Sequence, residues 1–439
     1  MRDIALILFL AFSIALMFRA PIIGLFVWIW LSLMNPHQMV YGIVAGASLN
    51  QIVAGLTLIA LLSQGALKKI PINAVMILMI VFGLWFTLTT FTVATSPSAY
   101  ELWDRNVKTI ILVFAITALA TTRERLHATI WVFVISIGFY GALNGAKTIV
   151  SGGASKLAGP PNSMIHDNNH LALAIVISLP LMNYLFLHSK HRLVRIGLLA
   201  GMFLSMIGVM GSYSRGGFVA ASAMLGLLWI RSHSKMAIAA IGIVVALGVV
   251  SFMPTEYRER LSTISDAQED TSFQQRLLAW AVAVNVAVDM PLGAGFEGPI
   301  QENVWNRYSP GTTRHAAHSI YMMVLGEQGF TGLFIYLLLC WTAWRSCDAV
   351  RKQARGRPEL AWAYTLSSMI QVSFFGFLIG GAALSMSYYD GFLILVGIAA
   401  LLPRLALAYA SDDAKVRPRS ARFRSPALAH AQPQAVKAG

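Results

Sequence analysis

The sequence predicts an all-α, polytopic membrane fold of about twelve transmembrane helices with a large external loop between the ninth and the tenth, and three observations carry that expectation. Hydrophobic residues make up 57% of the 439 and charged residues only 12%, a balance that leaves a soluble domain of this length too little polar surface to face water. The apolar residues fall into runs of roughly 20, the length that crosses a hydrocarbon core of about 30 Å. Lys and Arg gather in short clusters on every second connection between those runs, as the cytoplasmic loops of membrane proteins do.

Taken in order, Arg2 precedes an apolar run from Ile4 to Phe18. No small-x-small site precedes Arg19-Ala20-Pro21, so the run reads as an uncleaved membrane segment and not as a signal peptide. Arg19-Ala20-Pro21 splits residues 1–34 into two stretches that are each short for a crossing, which leaves a short hairpin or one long kinked span. Further spans follow near 43–62, 72–94, 107–120, 127–150, 169–187, 193–212, 216–232, 236–252, 319–344, 361–382 and 387–408. The positive clusters are Lys68-Lys69, Arg123 with Arg125, Lys190 with Arg192 and Arg195, Arg231 with Lys235, and the run Arg345, Arg351, Lys352, Arg355, Arg357. The alternate loops carry only Arg105 and Lys108, then Lys147 and Lys156, then Arg215. The clustered side is therefore cytoplasmic, and Asn35 to Gly42 and the loop 254–317 are external. Residues 1–34 cross once if the N-terminus is cytoplasmic. Cys340 and Cys347, seven apart on one helix, have α-carbons about 10 Å apart, too far for a disulfide.

The chain thus divides into a membrane domain, 1–408, that includes the loop 254–317, and a tail, 409–439. The tail is rich in Arg, Ala and Pro without periodicity and reads as a disordered, basic, cytoplasmic segment able to touch anionic lipid. The net charge of +14 does not point to nucleic acid, because the cations sit beside membrane spans and not on one soluble face. No strong internal repeat marks an inverted-repeat transporter.

Candidate chemistry concentrates on the external side. A connection as long as 254–317 either functions or stays disordered, and this one has the marks of order: Trp280, Phe296, Trp305, a Gly293-Ala-Gly295 turn, and an amphipathic stretch from Phe273 to Val288 suited to a membrane surface. It closes with Arg314-His315-Ala-Ala-His318 and runs directly into the tenth span. His318, at the mouth of that span, is a candidate general base by position, or an interfacial histidine that anchors the helix end. Glu327, about two and a half turns deeper, is costly in lipid and supports the site or makes a packing contact. Arg215, in Gly211-Ser-Tyr-Ser-Arg215-Gly-Gly, and Arg276, in Gln274-Gln-Arg276-Leu-Leu-Ala-Trp280, lie on the side of His318. Their planar donor forks suit a diphosphate, although a lone arginine can also reach to lipid headgroups. Arg105 and Lys108 could extend a basic mouth. Gly159 to His170 is dense in hydrogen-bonding groups that suit a sugar, with Asn168 foremost, or that cap the next helix through Asp167 or Asn168. His166 with His170, or His315 with His318, lacks a Cys or carboxylate in a recognised ligand spacing, so no metal is expected. External Asp-x-Asp and Glu-x-Asp pairs, a Gly-x-x-x-x-Gly-Lys loop and a Gly-x-Ser-x-Gly elbow are absent, which argues against metal-bridged transfer, ATP hydrolysis and serine esterase chemistry. No cofactor is expected.

His318-Ser-x-Tyr-x-x-x-x-x-Glu327-x-Gly329-x-x-Gly332, Ser214-Arg215-Gly216 and Arg276-Leu-x-x-Trp280, set in this layout, resemble the O-antigen ligase (WaaL-type) and Wzy polymerase superfamily over roughly residues 100–405. Met1 to about Pro97 is similar to a branch of O-glycosylation ligases that accompany exosortase systems. The resemblance implies a multi-pass protein of the bacterial inner membrane with its active site in the periplasm. It implies a glycosyltransferase that moves a glycan from undecaprenyl diphosphate to lipid A-core, or to a protein hydroxyl, without metal or ATP and with inversion. His318 would then be the base and Arg215 and Arg276 would hold the diphosphate. Arg105, Lys108, Arg314, His315, Asn168 and Glu327 would assist substrate binding. A repeat-unit polymerase of the same superfamily is the nearest alternative, and a lipid-linked sugar transporter is the alternative from another class.

Overall fold

Fourteen α-helices and no strand make up the described residues of the computed structural model, which are 2–39, 48–153, 157–231, 235–236 and 271–416. The rest of the expected span at 236–252, the first part of the loop up to 270, residues 40–47, Lys156 and the tail beyond 416 lie outside the described residues. The helices are α1 (Arg2–Met17), α2 (Pro21–Met34), α3 (Leu49–Ser63), α4 (Ala74–Val93), α5 (Pro97–Leu119), α6 (Arg123–Val150) and α7 (Asn168–His188). Then follow α8 (Arg192–Gly211), α9 (Arg215–Arg231), α10 (Thr271–Asp289), α11 (Glu302–Tyr308), α12 (Ile320–Ala354), α13 (Ala361–Gly381) and α14 (Asp390–Val416). The chain is an all-α polytopic membrane protein. Seven helices are long and apolar enough to cross a bilayer, among them α4, α6, α7, α8 and α12, while α1 to α3 are apolar but shorter. The last helix runs past residue 408 into the segment expected as tail.

Polar residues at helix starts set the boundaries. Asn73, Ser96, Thr122, Asp167 and Ser319 each accept a hydrogen bond from a backbone N–H in the first turn of α4, α5, α6, α7 and α12, satisfying donors that the helix itself leaves open. Proline stands at the start of α2 and α5, where its missing N–H costs nothing. Between helices, small residues let backbones approach, the packing device available where lipid is as apolar as leucine. A side chain at Gly145 of α6 would meet the Leu204 carbonyl of α8 at 1.9 Å, and Gly208 faces Gly141 and Gly145. On the other face of α8, Leu193, Ile196, Leu199 and Phe203 are exposed, as a lipid-facing surface requires.

Residues 2–34 form the hairpin and not the kinked crossing. The Phe9 ring packs edge-on against Trp30 at 5.2 Å, and Met17 lies against Gly24, so α1 and α2 run antiparallel about a turn at Arg19. The break follows from Arg19-Ala-Pro21: the ring of Pro21 and its missing N–H forbid a continuous helix. Arg2 then lies at the same end of the pair as Asn35, and the cytoplasmic N-terminus that a single crossing would require does not follow.

The ends of the bundle differ in charge. Lys69, Arg123, Arg195, Arg231 and Arg351 belong to one end, where Arg123 donates to the Tyr409 hydroxyl at 3.2 Å, Arg231 to the Ser368 carbonyl at 3.4 Å, and Arg404 to the Lys69 carbonyl. The starts of α7, α9 and α12 and the whole segment 290–318 belong to the other.

α12 is broken at Gly329, whose φ of 69° and ψ of −176° are not helical. Three successive carbonyls at the break are met from outside the helix: Gly326 by the Ala294 N–H at 2.9 Å, Glu327 by the Gly295 N–H at 2.9 Å, and Gln328 by the Trp85 indole at 2.9 Å. An unmet backbone group at this depth would cost several kcal/mol, so the break and the 293–295 turn need each other. Gly329→Ala places a methyl 2.1 Å from the Pro291 carbonyl in a region of φ and ψ that only glycine favours, where strain alone costs about 1–3 kcal/mol. The variant is expected to melt at lower temperature and to lose protease protection at 290–300. Melting like the wild type would contradict this reading of the break.

Candidate active site

The loop is seated on the bundle by its own small core and by two plugs. Ala279, Val282 and Val286 of α10 pack with Ala294 and Trp305, and Ala283 lies against Gly326 of α12. The amphipathic stretch expected to lie on the membrane surface is thus docked on α12, while Phe273, Leu277, Val284 and Val288 remain exposed on its other side. Phe296 inserts between Phe86 and Tyr388, at 5.5 and 5.1 Å. Glu327 accepts from the Glu297 N–H at 3.1 Å and from the Tyr388 hydroxyl at 2.9 Å and is only 4% exposed. Burying a charged carboxylate costs several kcal/mol, and the two bonds leave neither oxygen without a partner. Glu327, expected among the substrate-binding groups, has one oxygen on the loop backbone at Glu297 and the other on Tyr388 of the bundle.

From this seat the loop places its candidate site residues. The Trp280 indole donates to the Ala317 carbonyl at 2.7 Å, fixing the strand of chain that leads into His318. Arg276 lies one helical turn before Trp280 on the same face of α10, and its positive charge acts on the His318 imidazole. His318 is part-exposed, reachable from solvent but flanked by protein, with φ of 43°, a conformation that a non-glycine residue adopts only when its surroundings impose it and that clusters at functional sites. Ser319 caps α12 directly behind it, and Tyr321 and Ser387 pin that helix start through the Leu378 and Ile320 carbonyls.

The second wall is the start of α7. Asp167 accepts from the Asn169 and His170 N–H groups at 2.7 and 2.9 Å and pairs with His170 Nδ1 at 2.8 Å. Burial opposes its ionisation, but the His170 contacts and these N–H groups outweigh that and hold its pKa down to about 2. Asn168 donates to the Ser212 carbonyl at 2.7 Å. That bond docks the Gly211–Arg215 turn against α7 and makes Asn168 a tether rather than an open ligand group. Tyr213, at φ of 54°, ties the turn to the Gly153 carbonyl at 2.5 Å. The Ser214 hydroxyl accepts the Gly217 N–H at 2.9 Å, so exposed Arg215 begins α9. Its guanidinium adds to the positive end of a helix, a ready anion site.

His318 is therefore surrounded by Arg276, His170, Asp167 and His315. Burial lowers its pKa first, the charges of Arg276, His170 and His315 lower it further, and Asp167 acts in the opposite direction. The imidazole is neutral and able to accept a proton at pH 7. A base with a depressed pKa loses activity only as pH falls below its ordinary 6.5. Arg276→Gln, by removing a nearby positive charge, is expected to move the acid limb of the kcat/KM profile upward. An unmoved limb would separate His318 from the step.

Arg314 is exposed on the segment before His315, which rests edge-on against Trp305 at 6.3 Å. Arg105 and Lys108 do not join this group; they line a separate cavity, with Lys108 paired to Asp104. Among the described residues no three His, Cys, Asp or Glu side chains are gathered to hold a metal. The sequence did not assign His170 a place beside His318 or Trp280 its tether; the Asp167-x-x-His170 spacing on a first helical turn is the signal for the former. Trp280→Phe keeps the ring and loses the N–H. It is expected to lower kcat about tenfold to a hundredfold by misplacing His318, with melting temperature and donor affinity unchanged. An unchanged kcat would remove Trp280 from the positioning of the base.

In this all-α membrane protein the loop and helix starts bring a neutral imidazole beside arginine, a candidate base and a candidate anion-binding group together at the end remote from the positive clusters. Residues 200–337 match the family model described as O-antigen ligase, a segment that holds Arg215, Arg276, His318 and Glu327. Residues 1–190 match a family of unknown function, DUF5935. Comparison with curated proteins gives no match. The O-antigen ligase match supports ligase-type glycan transfer in general.

Proposed function

We propose that the chain is a periplasmic O-antigen ligase that transfers a glycan from undecaprenyl diphosphate to a lipid A-core acceptor. The observation that carries this reading is the tether of Ala317 by Trp280, which sets Arg276 beside His318, with the Arg215 turn docked on the adjoining start of α7. The positive-inside rule supports the orientation, since the cationic clusters lie at the opposite end of the bundle.

His318 takes the proton of the acceptor hydroxyl as its oxygen attacks the anomeric carbon. The new C–O bond forms as the bond to the diphosphate breaks, and the electron pair leaves on the diphosphate oxygen. Arg215 and Arg276 meet the charge that develops there, in a setting where such contacts count for more than in water. A single displacement inverts the anomeric centre. The diphosphate is a good leaving group once its charge is met, so neither ATP nor a protonating carboxylate enters the step.

The test is transfer by the purified protein from a defined lipid-linked donor, offered lipid A-core or a Ser/Thr peptide, with chelator present. Glycosylated lipid A-core is the expected product. Glycosylated peptide alone would make the acceptor a protein hydroxyl. Lengthening of the lipid-linked chain without either acceptor would make the protein a polymerase.

A further inference from the structure

A polar cavity of about 340 Å³ lies at the same end of the bundle as His318, walled by the end of α2, the start of α3, the middle of α5, residues 162–165 and the start of α14. His318, His170 and Arg276 take no part in its lining. Its size is at the low end of small-molecule sites, about 300–1,000 Å³.

The charges of the lining cancel. Lys108 pairs with Asp104, and Asp390, which accepts from the Thr109 hydroxyl at 2.8 Å, stands with Arg105 in the same wall. Burial holds the pKa of His37 below its usual value, so it is neutral at pH 7. What remains is dense in amides and hydroxyls: Asn35, Gln38, Asn50, Gln51, Asn162 and Ser163. Such groups donate and accept at once, as sugar hydroxyls do.

Two lining groups lack partners. His37 is 8% exposed and Tyr389 3% exposed, and neither His37 Nδ1 nor the Tyr389 hydroxyl has a hydrogen-bond partner among the described residues. Buried polar atoms are rarely left so, because desolvation without a partner is unfavourable. Neither atom has surface open to the cavity, so each reaches a ligand's hydroxyl by rotation of its side chain toward the lining amides. A diphosphate, by contrast, would need an excess of positive charge that this lining does not hold.

We infer that this cavity binds an uncharged saccharide unit, of one or two rings, through the cluster of amides around Tyr389 and His37. The inference rests on the glycan-transfer reading for the origin of the saccharide, which is the core oligosaccharide of the acceptor or the glycan of the donor. Arg105 and Lys108 then serve sugar recognition and not the diphosphate.

The test uses the full chain in phosphatidylcholine nanodiscs, titrated with core oligosaccharide and with O-chain oligosaccharide, both released from lipopolysaccharide by mild acid, and with inorganic diphosphate. One of the two saccharides is expected to bind, which names its source, and diphosphate is not expected to displace it. Tyr389→Phe and Gln51→Ala are each expected to weaken binding about three- to tenfold, the worth of a hydrogen bond. Tyr389→Phe should leave the melting temperature unchanged or raised, because it deletes an unpartnered buried hydroxyl. His318→Ala should bind as the wild type does. Absence of saccharide binding, equal binding by both cavity variants, or displacement by diphosphate would overturn the inference. A protein that binds saccharide at this cavity but transfers none would sink the transfer reading and leave this site standing.

Discussion

His318→Ala is expected to lower glycan transfer about 10²- to 10⁴-fold, the usual contribution of a positioned general base, while donor binding survives. The geometry makes the prediction specific. The imidazole is accessible, neutral at pH 7, and held in a left-handed backbone conformation by a capped helix behind it and the Trp280 tether before it. None of its described contacts holds the bundle together, so alanine, which relieves no packing and opens no core cavity, should leave the melting temperature close to that of the wild type. Stability measured beside activity separates loss of a base from loss of fold. Full transfer by the variant would remove His318 from the chemistry.

The second large effect is expected at the arginines. Arg215→Ala and Arg276→Ala each remove a charged fork from the proposed diphosphate, an interaction of the class worth about 2–4 kcal/mol in transition states, or roughly 30- to 1,000-fold in kcat/KM. Their pattern should differ from that of His318→Ala, since the diphosphate is charged in the ground state as well: KM for the donor rises and kcat falls together. Lysine at either position should restore charge but only part of the rate, because a point charge replaces a bidentate fork. Unchanged kinetics in both alanine variants would sink the diphosphate assignment.

Much of the fold was legible because a membrane helix is written locally. Runs of about 20 apolar residues place α4, α6, α7 and α8 within a few residues of their observed bounds, and polar caps such as Asn73 and Asp167 mark their starts. The alternation of positive loops anticipated which helix ends lie together. The α1–α2 hairpin was less legible, since Arg19-Ala-Pro21 signals a break but not the angle across it. That angle is decided by Phe9 on Trp30 and by Met17 against Gly24.

The candidate site divides in the same way. His318, Arg215 and Arg276 stand in short motifs that a reader of the chain can find, and Gly329 and Gly332 flag the broken helix. What Glu327 does could not be read, because its partner Tyr388 is 61 residues away. The polar cavity is assembled from still more distant pieces, with Thr109 bonded to Asp390 across 281 residues. Arg105 and Lys108 announce charge in the sequence; only Asp104 and Asp390 in the same wall show that the charge is balanced.

The central claim, that a distant turn and the loop together hold one lipid diphosphate beside one base, is tested most directly by a cryo-electron microscopy map of the protein in nanodiscs with the lipid-linked donor bound. Diphosphate density between Arg215 and Arg276, with the anomeric carbon on the side of the His318 imidazole, is the result predicted. Diphosphate density at the opposite end of the bundle, among Arg123, Arg195 and Arg231, would contradict it.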